Sequence, residues 1–278
     1  MDKVKLSIII VNLNTVELTE GCIKSIYDHK LNFSFEVFVT DNGSNDGSVE
    51  MLRRYDKKYN NFHTLFNKNN TGYAKANNQG IKKSNGEYIL LLNNDTIVYK
   101  NSLNNLIKFA EKTPDAGVVG SKLLNIDGTL QMSCFNFPTI KNAILEYYFG
   151  KKGLFDKFAP LGSKPSTVDS VVGAVFLITP KATEKVGILD ERYWAYFEDI
   201  DYCRQCWKQG LKVYYLPESV ITHYHGATFK KMANEAERWK RLIPSSKIYH
   251  GFINHYVINA ILWSGQKWQK LLNFYAKK

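Results

Sequence analysis

Three carboxylates lie within four residues of one another, directly after an aromatic cluster. Glu198, Asp199 and Asp201 follow residues 193–197, four of which carry aromatic rings. A carboxylate beside apolar rings holds its proton more tightly, because a low local dielectric disfavours the charged form. Asp199 is therefore a candidate general base. The alternative is that these acids only open the next helix, where an N-cap and negative first-turn charges are favourable.

Strand and helix patterns alternate through the first hundred residues. The predicted strands are 6–11, 35–40, 62–66 and 88–92, with helices over 17–29, after the turn at 41–47, and over 72–83. This alternation predicts an α/β fold with a mostly parallel central sheet flanked by helices. Ligands of such sheets bind beyond the carboxyl ends of the strands. Asp41 and Asp95 follow predicted strands, so both side chains should reach that crevice.

The pattern changes after a predicted helix over 101–111. Residues 117–124 and 129–132 predict a hairpin around the turn at 125–128. Residues 133–169 have weak periodicity with scattered Gly, Pro and Lys, which is typical of a mobile or acceptor-facing segment. Beyond them the sequence predicts strands over 170–178, 212–216 and 219–223, a helix over 201–209, and helices after 230.

The chain of 278 residues has a formal net charge of +11, and the excess is concentrated at its end. From Lys230 onward, ten lysines and arginines stand against two acidic residues. Such a patch can bind nucleic acid, an anionic membrane or a phosphorylated substrate. No nucleic-acid-binding motif accompanies it, so nucleic acid is not expected as a partner. Few cysteines, no recognisable signal peptide and no long apolar run predict a reduced, cytoplasmic setting.

Short polar motifs recur at the predicted strand ends. In chain order they are Asn12-Leu13-Asn14, Asp41-Asn42-Gly43-Ser44-Asn45-Asp46-Gly47-Ser48, residues 69–80, Asn93-Asn94-Asp95, Gly173-Ala174, Glu198-Asp199-Ile200-Asp201 and residues 223–228. In this order and spacing the sequence resembles the inverting family-two glycosyltransferases of the GT-A fold, most of all their bacterial rhamnosyltransferase-type members. The whole set of motifs, rather than any one of them, carries the resemblance.

The resemblance implies a donor site for a uridine- or thymidine-diphosphate sugar. Asp41 would accept the imide N–H of the base. Asp95 would bind a divalent cation, Mg²⁺ or Mn²⁺, because hard cations take oxygen ligands and share them with substrate phosphates. Asn93 stands where the family pattern has the first Asp of its D-x-D motif, and His223 would be a second metal ligand, with His225 as the competing choice. The implied donor contacts are Asn12, Asn14, Asn42, Lys75, Asn78, Asn93 and Asn94, with plain helix surface as the alternative for Lys75 and Asn78.

The resemblance also implies how the carboxylates act. Asp199 would take the proton of the acceptor hydroxyl as this attacks the anomeric carbon opposite the leaving nucleotide, which inverts the configuration. The cation would balance the charge on the departing diphosphate. Glu198 would orient the acceptor. The acceptor side would further include Gly173, Ala174, Trp194 and Asp201, of which Asp201 could instead cap its helix.

The predicted function is transfer of one sugar, with rhamnose as the suggested one, to a bacterial surface glycan or lipid-linked acceptor. Residues 1–229 would form the catalytic domain, with 1–100 as its nucleotide-binding half and 101–229 as its acceptor half, and 230–278 a helical basic extension. A nucleotidyltransferase of similar fold is one alternative, although residues 12–15 lack a basic, Gly-rich triphosphate loop. A non-catalytic sugar-nucleotide- or glycan-binding subunit is another, opposed by the intact Asp95 and Asp199.

An apolar stripe at helical spacing runs along the tail, with lysines around it. Its members are Phe252, Ile253, Tyr256, Val257, Ala260, Ile261, Trp263, Trp268, Leu271, Leu272 and Tyr275. Tryptophans beside lysines are typical of an interfacial helix, which predicts peripheral binding to the cytoplasmic face of the plasma membrane. The alternative is that the stripe packs on the catalytic domain or on a second subunit, as in a homodimer.

Overall fold

The structure, a computed structural model, describes residues 4–224 and 235–275, with residues 235–239 and 272–275 as backbone only. The strands are β1 (Leu6–Asn12), β2 (Phe35–Asp41), β3 (Phe62–Phe66), β4 (Tyr88–Leu92), β5 (Thr96–Val98), β6 (Ala116–Leu124), β7 (Cys134–Phe135), β8 (Ser166–Val168), β9 (Ser170–Val171), β10 (Val175–Ile178) and β11 (Lys212–His223). The helices are α1 (Val16–Tyr27), α2 (Ser48–Lys58), α3 (Tyr73–Lys83), α4 (Ser102–Lys112), α5 (Ile140–Tyr147), α6 (Pro180–Lys185), α7 (Glu198–Lys208), α8 (Glu235–His250) and α9 (Phe252–Tyr275).

Most of the described strands belong to one central sheet. Its order is β3-β2-β1-β4-β10-β6-β11-β5, with β8 beside β11. The first four strands in this order run parallel, whereas β10 is antiparallel to both of its neighbours, so the second half of the sheet is mixed. The predicted α/β fold with a central sheet flanked by helices is confirmed.

The central strands are apolar throughout because helices cover both faces of the sheet. Successive residues of a strand point to opposite faces. Ile8 and Ile10 accordingly lie in the core formed with α1, α2 and α4, while Ile9 lies in the core formed with α3, α6 and α7. All three side chains are fully buried. This double burial fixes the register at which the polar strand ends emerge.

The reversed direction of β10 brings distant residues to one edge of the sheet. Val175 pairs with Leu92, so Gly173 and Ala174, which precede β10, lie beside the end of β4. The backbone N–H of Asn93 donates to the carbonyl of Ala174 at 2.9 Å. The same edge receives the ends of β1, β2 and β11, and it is therefore where the site must form.

Three predicted elements differ from the structure. Residues 129–132 form no strand, because the Gln131 side chain turns inward and only Leu130 keeps a single bridge to Leu124. The predicted strand over 170–178 is divided at Gly173 into β9 and β10, which belong to different sheets. One strand, β11, replaces the two predicted over 212–223, and a register shift between Leu216 and Val220 carries it past Pro217.

Residues 133–169 have more regular structure than the prediction of a mobile segment allowed. They contain β7, α5 and β8. The buried carboxylate of Glu146 on α5 accepts hydrogen bonds from the backbone N–H groups of Gly153, Phe155 and Asp156. These bonds tie the loop after α5 back to the helix, a contact between residues that show no common period in the sequence.

The predicted helical tail is confirmed, and it packs against the rest of the chain. On α8, Ser245 Oγ donates to the carbonyl of Ala195 at 2.7 Å, and the Tyr249 ring lies 5.1 Å from that of Phe197. A Cβ at Gly265 of α9 would come within 2.6 Å of Tyr147 Cβ, so glycine allows α9 to approach α5 closely. The predicted domain boundary at 229/230 falls outside the described residues. Within 4–224 and 235–275, no helix is both long and apolar enough to cross a bilayer.

Candidate functional site

A buried network joins the ends of β1 and β2. Asn12 Nδ2 donates to Asp41 Oδ1 at 2.7 Å, and the backbone N–H groups of Gly43 and Ser44 donate to Asp41 Oδ2 at 3.2 and 2.9 Å. Asp41 is 1% exposed. A carboxylate has about four lone-pair positions, so these three bonds leave one on Oδ1. Asp41 holds the turn after β2 and keeps one position with which it could accept the N–H of a base.

Asn94 lies in the scaffold behind this edge. Its Nδ2 donates to the hydroxyls of Thr15 and Thr19 at 2.6 and 2.8 Å and lies 3.3 Å from Asn12 Oδ1. Asn94 is 5% exposed, and Asn12 is fully buried. Both amides therefore fix α1 against the strand ends, which is a different role from the donor contact predicted for them.

The other predicted donor residues divide into buried and exposed ones. Asn42 Oδ1 accepts from the N–H and hydroxyl of Thr71, which anchors the loop before α3. Asn78 is fully buried and bonds both the N–H and the carbonyl of Leu189. Lys75 is exposed on α3, and Asn14 is half-buried with its Oδ1 accepting from the backbone of residue 45. Of this group, Asn14 and Lys75 retain surface for a ligand.

His223 and Asp95 form the candidate metal site. His223 Nδ1 lies 2.7 Å from Gln131 Oε1, while Gln131 Nε2 donates to Asn125 Oδ1 and to the His223 carbonyl. Because both amide N–H groups are directed at oxygens, Gln131 Oε1 must accept, so Nδ1 carries the proton. In the neutral ring Nε2 then presents a lone pair, and it lies 3.3 Å from Asp95 Oδ1. An imidazole lone pair facing a carboxylate oxygen suits a shared cation.

Asn93 connects this pair to Tyr73. Its Nδ2 lies 3.4 Å from His223 Nε2, and its Oδ1 lies 3.0 Å from the Tyr73 hydroxyl. Tyr73 Oη is also 3.0 Å from the carbonyl of Gly173, and its single proton can be donated fully to only one of these two acceptors. A half-turn of the Asn93 amide would let its NH₂ group donate to Tyr73 and would bring its oxygen to the His223 side. No set of three or more His, Cys, Asp or Glu in the described ranges is arranged to hold a metal.

Asp199 occupies the first turn of α7, facing Gly173. Its Oδ2 accepts the backbone N–H of Gly173 at 2.8 Å, and its Oδ1 accepts that of Ile200 at 2.8 Å. Burial raises the pKa of Asp199, while these two hydrogen bonds and the nearby Lys157 ammonium lower it, and the balance lies above the ordinary value. The structure thus gives Asp199 the raised proton affinity that the aromatic surroundings predicted.

Glu198 differs from Asp199 in its hydrogen bonding. Burial and the neighbouring Asp199 carboxylate raise the pKa of Glu198 well above its usual range. Its Oε2 is buried, and none of the described residues offers it a hydrogen-bond partner. Burial therefore favours the protonated form of Glu198, which could donate a hydrogen bond to a group beside it.

Lys157 is a functional candidate that sequence reasoning missed. The residue as a whole is exposed, but its Nζ lies 5.4 Å from the centre of the Phe135 ring, on the side of Asp199. Desolvation lowers the pKa of Lys157, and attraction to Asp199 opposes that shift. The loop after α5 places this cation beside the base from 42 residues away in the chain, and no local motif marks it.

Asp201 and Trp194 face elsewhere in the structure. Asp201 Oδ1 pairs with Arg204 Nη2 at 2.5 Å and accepts from Gln205, so it stabilises α7 internally, as in the helix-forming alternative. The Trp194 carbonyl accepts the N–H of Tyr73 at 2.7 Å, while its ring is 38% exposed beneath the Arg241 guanidinium. Trp194 therefore joins the segment before the carboxylates to α3.

Two non-glycine residues with positive φ lie directly before the carboxylates. Tyr196 and Phe197 have φ of 69° and 71°. This conformation is unfavourable for aromatic residues and persists only where the surroundings enforce it. Here Ser245 and Tyr249 of α8 hold the segment. The backbone strain turns the chain so that Glu198 and Asp199 both enter α7 facing the cleft.

Comparisons with known proteins identify similar sequences. The sequence profile of glycosyl transferase family 2 matches residues 7–159, more than half of the chain, and that of glycosyl transferase family group 2 matches residues 88–275. An N-acetylglucosaminyl-diphospho-decaprenol L-rhamnosyltransferase of Mycobacterium tuberculosis is 25% identical over 205 residues, covering 68% of this chain and 66% of that protein. A cholesterol galactosyltransferase of Borreliella burgdorferi is 28% identical over 241 residues, covering 84% and 62%. The chain spans slightly less than two thirds of the length of these relatives.

Solved structures share the fold. The structure of GalNAc-T7 with UDP, GalNAc and Mn²⁺ superposes with a TM-score of 0.63 at 16% identity, covering 80% of this chain and 44% of that one. At this identity the likeness concerns the fold alone. The GT-A architecture implied by the sequence motifs is confirmed.

Proposed function

This chain belongs to glycosyl transferase family 2, and we propose that it transfers a hexose, with inversion, from a nucleoside diphosphate to an acceptor hydroxyl. The observation that carries the proposal is a chain of hydrogen bonds and close contacts that runs from Asp199 through Gly173, Tyr73 and Asn93 to the Asp95–His223 pair. A base near the acceptor hydroxyl and a cation near the departing diphosphate are what displacement at an anomeric carbon requires.

Asp199 is the proposed general base. Its hydrogen bonds from Gly173 and Ile200 fix the carboxylate orientation, so that a remaining lone pair can accept the proton of an acceptor hydroxyl. Glu198, whose protonated form is favoured by burial, would donate a hydrogen bond to the acceptor or the donor sugar. Tyr73 keeps its proton, since burial raises the pKa of its hydroxyl, and it would hold Asn93 and the Gly173 carbonyl in register.

A divalent cation, Mg²⁺ or Mn²⁺, fits the opposite side of the cleft. Asp95 and His223 would hold it with Asn93, and substrate phosphates would complete the coordination, as is usual for Mg²⁺. Gln131 supports the choice, because it fixes the His223 tautomer that leaves Nε2 as a ligand. The bound cation would balance negative charge on the departing diphosphate. His225, the competing choice, lies outside the described residues.

The donor and acceptor classes follow from the relatives. GalNAc-T7 binds UDP, and the remaining lone pair of Asp41 suits the imide N–H of a pyrimidine, so a uridine- or thymidine-diphosphate sugar is the proposed donor. Both of the relatives described above are named for lipid acceptors, one of them for rhamnose. We therefore propose rhamnose or another hexose as the sugar and a lipid-linked glycan as the acceptor, at the cytoplasmic face of the membrane. Residues 1–229 would carry the reaction and 230–278 would support it.

A donor screen tests the proposal. The purified chain would be incubated with a panel of nucleotide sugars and Mn²⁺, and donor hydrolysis and thermal stabilisation would be measured for each. We expect one uridine- or thymidine-linked sugar to stabilise the fold and to be hydrolysed slowly without acceptor. Stabilisation without any turnover, even with lipid-linked acceptors present, would indicate a sugar-nucleotide-binding subunit instead of an enzyme.

A further inference from the structure

The outward side of α9 is a broad apolar surface. Six of its large side chains are between 44% and 75% exposed: Phe252, Ile253, Tyr256, Trp263, Trp268 and Leu271. At about 100° per residue, these positions fall within one half of the helix circumference. The buried positions of the same helix, such as His255, Ile258 and Gly265, fall on the other half, which packs against α5 and α8. α9 is therefore apolar on two sides, of which only one is covered by described residues.

The apolar surface continues onto the end of α5. The Tyr148 hydroxyl donates to Ser264 Oγ at 2.6 Å, which places the end of α5 against the edge of the α9 surface. Tyr148 is 36% exposed, and the next residue, Phe149, is 70% exposed. These two rings and the six α9 side chains together are here called the outer face. Two segments more than 100 residues apart thus build one continuous surface.

Lysines are interleaved with the outer face. Lys267 Nζ lies 3.6 Å from the centre of the Trp263 ring, and Lys247 Nζ lies 5.1 Å from that of Tyr256. Lys151 and Lys152 are exposed just after Phe149. No acidic residue follows Glu237 in the sequence. The surface therefore combines apolar area with lysine ammonium groups.

We propose that the outer face docks on an anionic lipid bilayer. The tryptophans would lie at the headgroup level, the aliphatic side chains below it, and the lysines against lipid phosphates. A second copy of the chain fits less well, because face-to-face contact would bring the lysines of both copies together in a desolvated interface. The inference rests on the proposed function for its purpose, which is to bring the cleft to a lipid-linked acceptor.

The position of α8 relates the outer face to the catalytic cleft. α8 contacts α9 through Ser246 and His255, whose Oγ and Nδ1 are 2.8 Å apart. It also contacts the segment before Asp199 through Ser245 and the Ala195 carbonyl. A bilayer bound to α9 would therefore lie one helix away from the segment that positions the base.

Vesicle sedimentation of the full chain tests the docking surface. Vesicles of phosphatidylcholine alone would be compared with vesicles that also contain phosphatidylglycerol, at low and high salt. We expect the chain to pellet with the anionic vesicles at low salt and to be released as salt rises. The double variant Ile253→Ser/Trp263→Ser should lower the partition coefficient at least about tenfold, because it removes two large side chains from the bilayer. Both residues are more than 60% exposed, so the melting temperature should stay unchanged.

A matched control is Ile126→Ser, which removes a 69% exposed isoleucine from the turn after β6. It should pellet like the original chain. The inference is overturned if the original chain pellets with neither kind of vesicle, or if the double variant binds anionic vesicles as well as the original chain does. It is also overturned if the double variant instead abolishes a dimer seen by analytical ultracentrifugation.

The sedimentation experiment and the transfer experiment test the docking surface and the proposed function separately. Sedimentation needs no nucleotide, so a chain that binds vesicles but transfers no sugar from any donor contradicts the proposed function and leaves the docking surface standing. A chain that transfers sugar to a water-soluble acceptor but never pellets contradicts the docking surface alone.

Discussion

The backbone N–H of Gly173 donates a 2.8 Å hydrogen bond to Oδ2 of Asp199. This bond joins the first turn of α7 to the residue pair that precedes β10. A Cβ at Gly173 would lie 3.6 Å from Asp199 Oδ2 and 3.5 Å from the Tyr73 hydroxyl, which is ordinary contact. An alanine methyl would therefore fit here, in contact with both the proposed base and Tyr73.

Replacing Asp199 by asparagine should separate catalysis from binding. The asparagine amide can keep the bond from Gly173 but cannot take a proton, so we expect transfer to fall by about 10²–10⁴-fold. Nucleotide affinity, measured by calorimetry, should stay the same. The control is Asp201→Asn, which removes an ion pair with Arg204 and should lower the free energy of unfolding by about 1.5–3 kcal/mol without the catalytic loss. Equal losses of transfer in both variants would contradict the assignment of the base.

Replacing Lys157 by methionine should shift the pH dependence of transfer. The Lys157 ammonium lowers the pKa of Asp199 and so opposes the effect of burial. Without it, the pKa of Asp199 rises, and the acid limb of kcat/KM against pH moves to higher pH. Activity should be lost below that limb and recovered well above it, while Lys157→Arg should keep the original profile. Superimposable acid limbs for Lys157→Met and the original chain would exclude this role.

Replacing Glu198 by glutamine should flatten the pH dependence of stability. The folded pKa of Glu198 is raised, so above the ordinary value of about 4.3 the unfolded chain releases a proton that the folded chain keeps. Stability therefore falls as pH rises from the ordinary pKa toward the raised one, by about 1.4 kcal/mol for each pH unit between the two values. Urea denaturation at about pH 4.5, close to the ordinary pKa, and at about pH 8, above neutrality, should show a smaller decrease in stability for Glu198→Gln. The exposed Glu50→Gln should behave like the original chain, and a decrease of the same size in all three would refute the burial argument.

The strand ends could be predicted from sequence because they depend on local patterns. Asn12, Asp41 and Asn93 each follow an apolar run, and the rule that ligands bind at carboxyl ends of strands places them at one edge. Predicted and observed bounds agree within a residue or two there. The resemblance implied donor contacts for Asn78 and Asn94. The structure shows both amides bonded to other segments, which a helical or turn position in the sequence does not reveal.

Contacts across long sequence separations could not be predicted. Gln131 was assigned to a strand, yet its side chain bonds His223, which is 92 residues away. Lys157 lies in a segment without periodicity, and its loop is held by the buried Glu146 carboxylate. Neither position depends on a local propensity. The antiparallel direction of β10, which brings Gly173 to Asn93, likewise depends on tertiary packing. The local sequence of β10 predicts only an apolar strand, without its direction.

Replacing Gln131 by leucine should weaken the proposed cation site without removing a ligand. The substitution ends the hydrogen bond that fixes the His223 tautomer, and loss of such a supporting bond lowers metal affinity by about 10–100-fold. Calorimetric titration of UDP at increasing Mn²⁺ should show a curve displaced to higher Mn²⁺, with transfer restored at saturation. Asp95→Ala should abolish the Mn²⁺-dependent part of UDP binding. A chelator should abolish sugar transfer by the original chain. Full activity in excess chelator would show that no cation is needed.

Gly72 provides a test of the contact between α3 and the segment before the base. Gly47 has φ of 90° and ψ of 0°, the left-handed region, where alanine should cost about 1–2 kcal/mol of stability. Gly72 has φ of 90° and ψ of 168°, a region essentially restricted to glycine, so alanine there should cost more through backbone strain alone. A Cβ at Gly72 would also lie 2.6 Å from the Trp194 carbonyl oxygen, whereas a Cβ at Gly47 would meet nothing within 4 Å.

The two alanine variants should therefore differ in activity as well as stability. Gly72→Ala must move Trp194, which weakens the 2.7 Å bond from the Tyr73 N–H and displaces the strained segment that ends at Asp199. A displacement of about 1 Å at a catalytic group can cost about 10²-fold in rate. Denaturation midpoints and initial transfer rates should show that Gly47→Ala loses stability only, while Gly72→Ala loses more stability and most of its transfer. If Gly72→Ala keeps the transfer rate of Gly47→Ala, the close approach of Gly72 to Trp194 does not position the base.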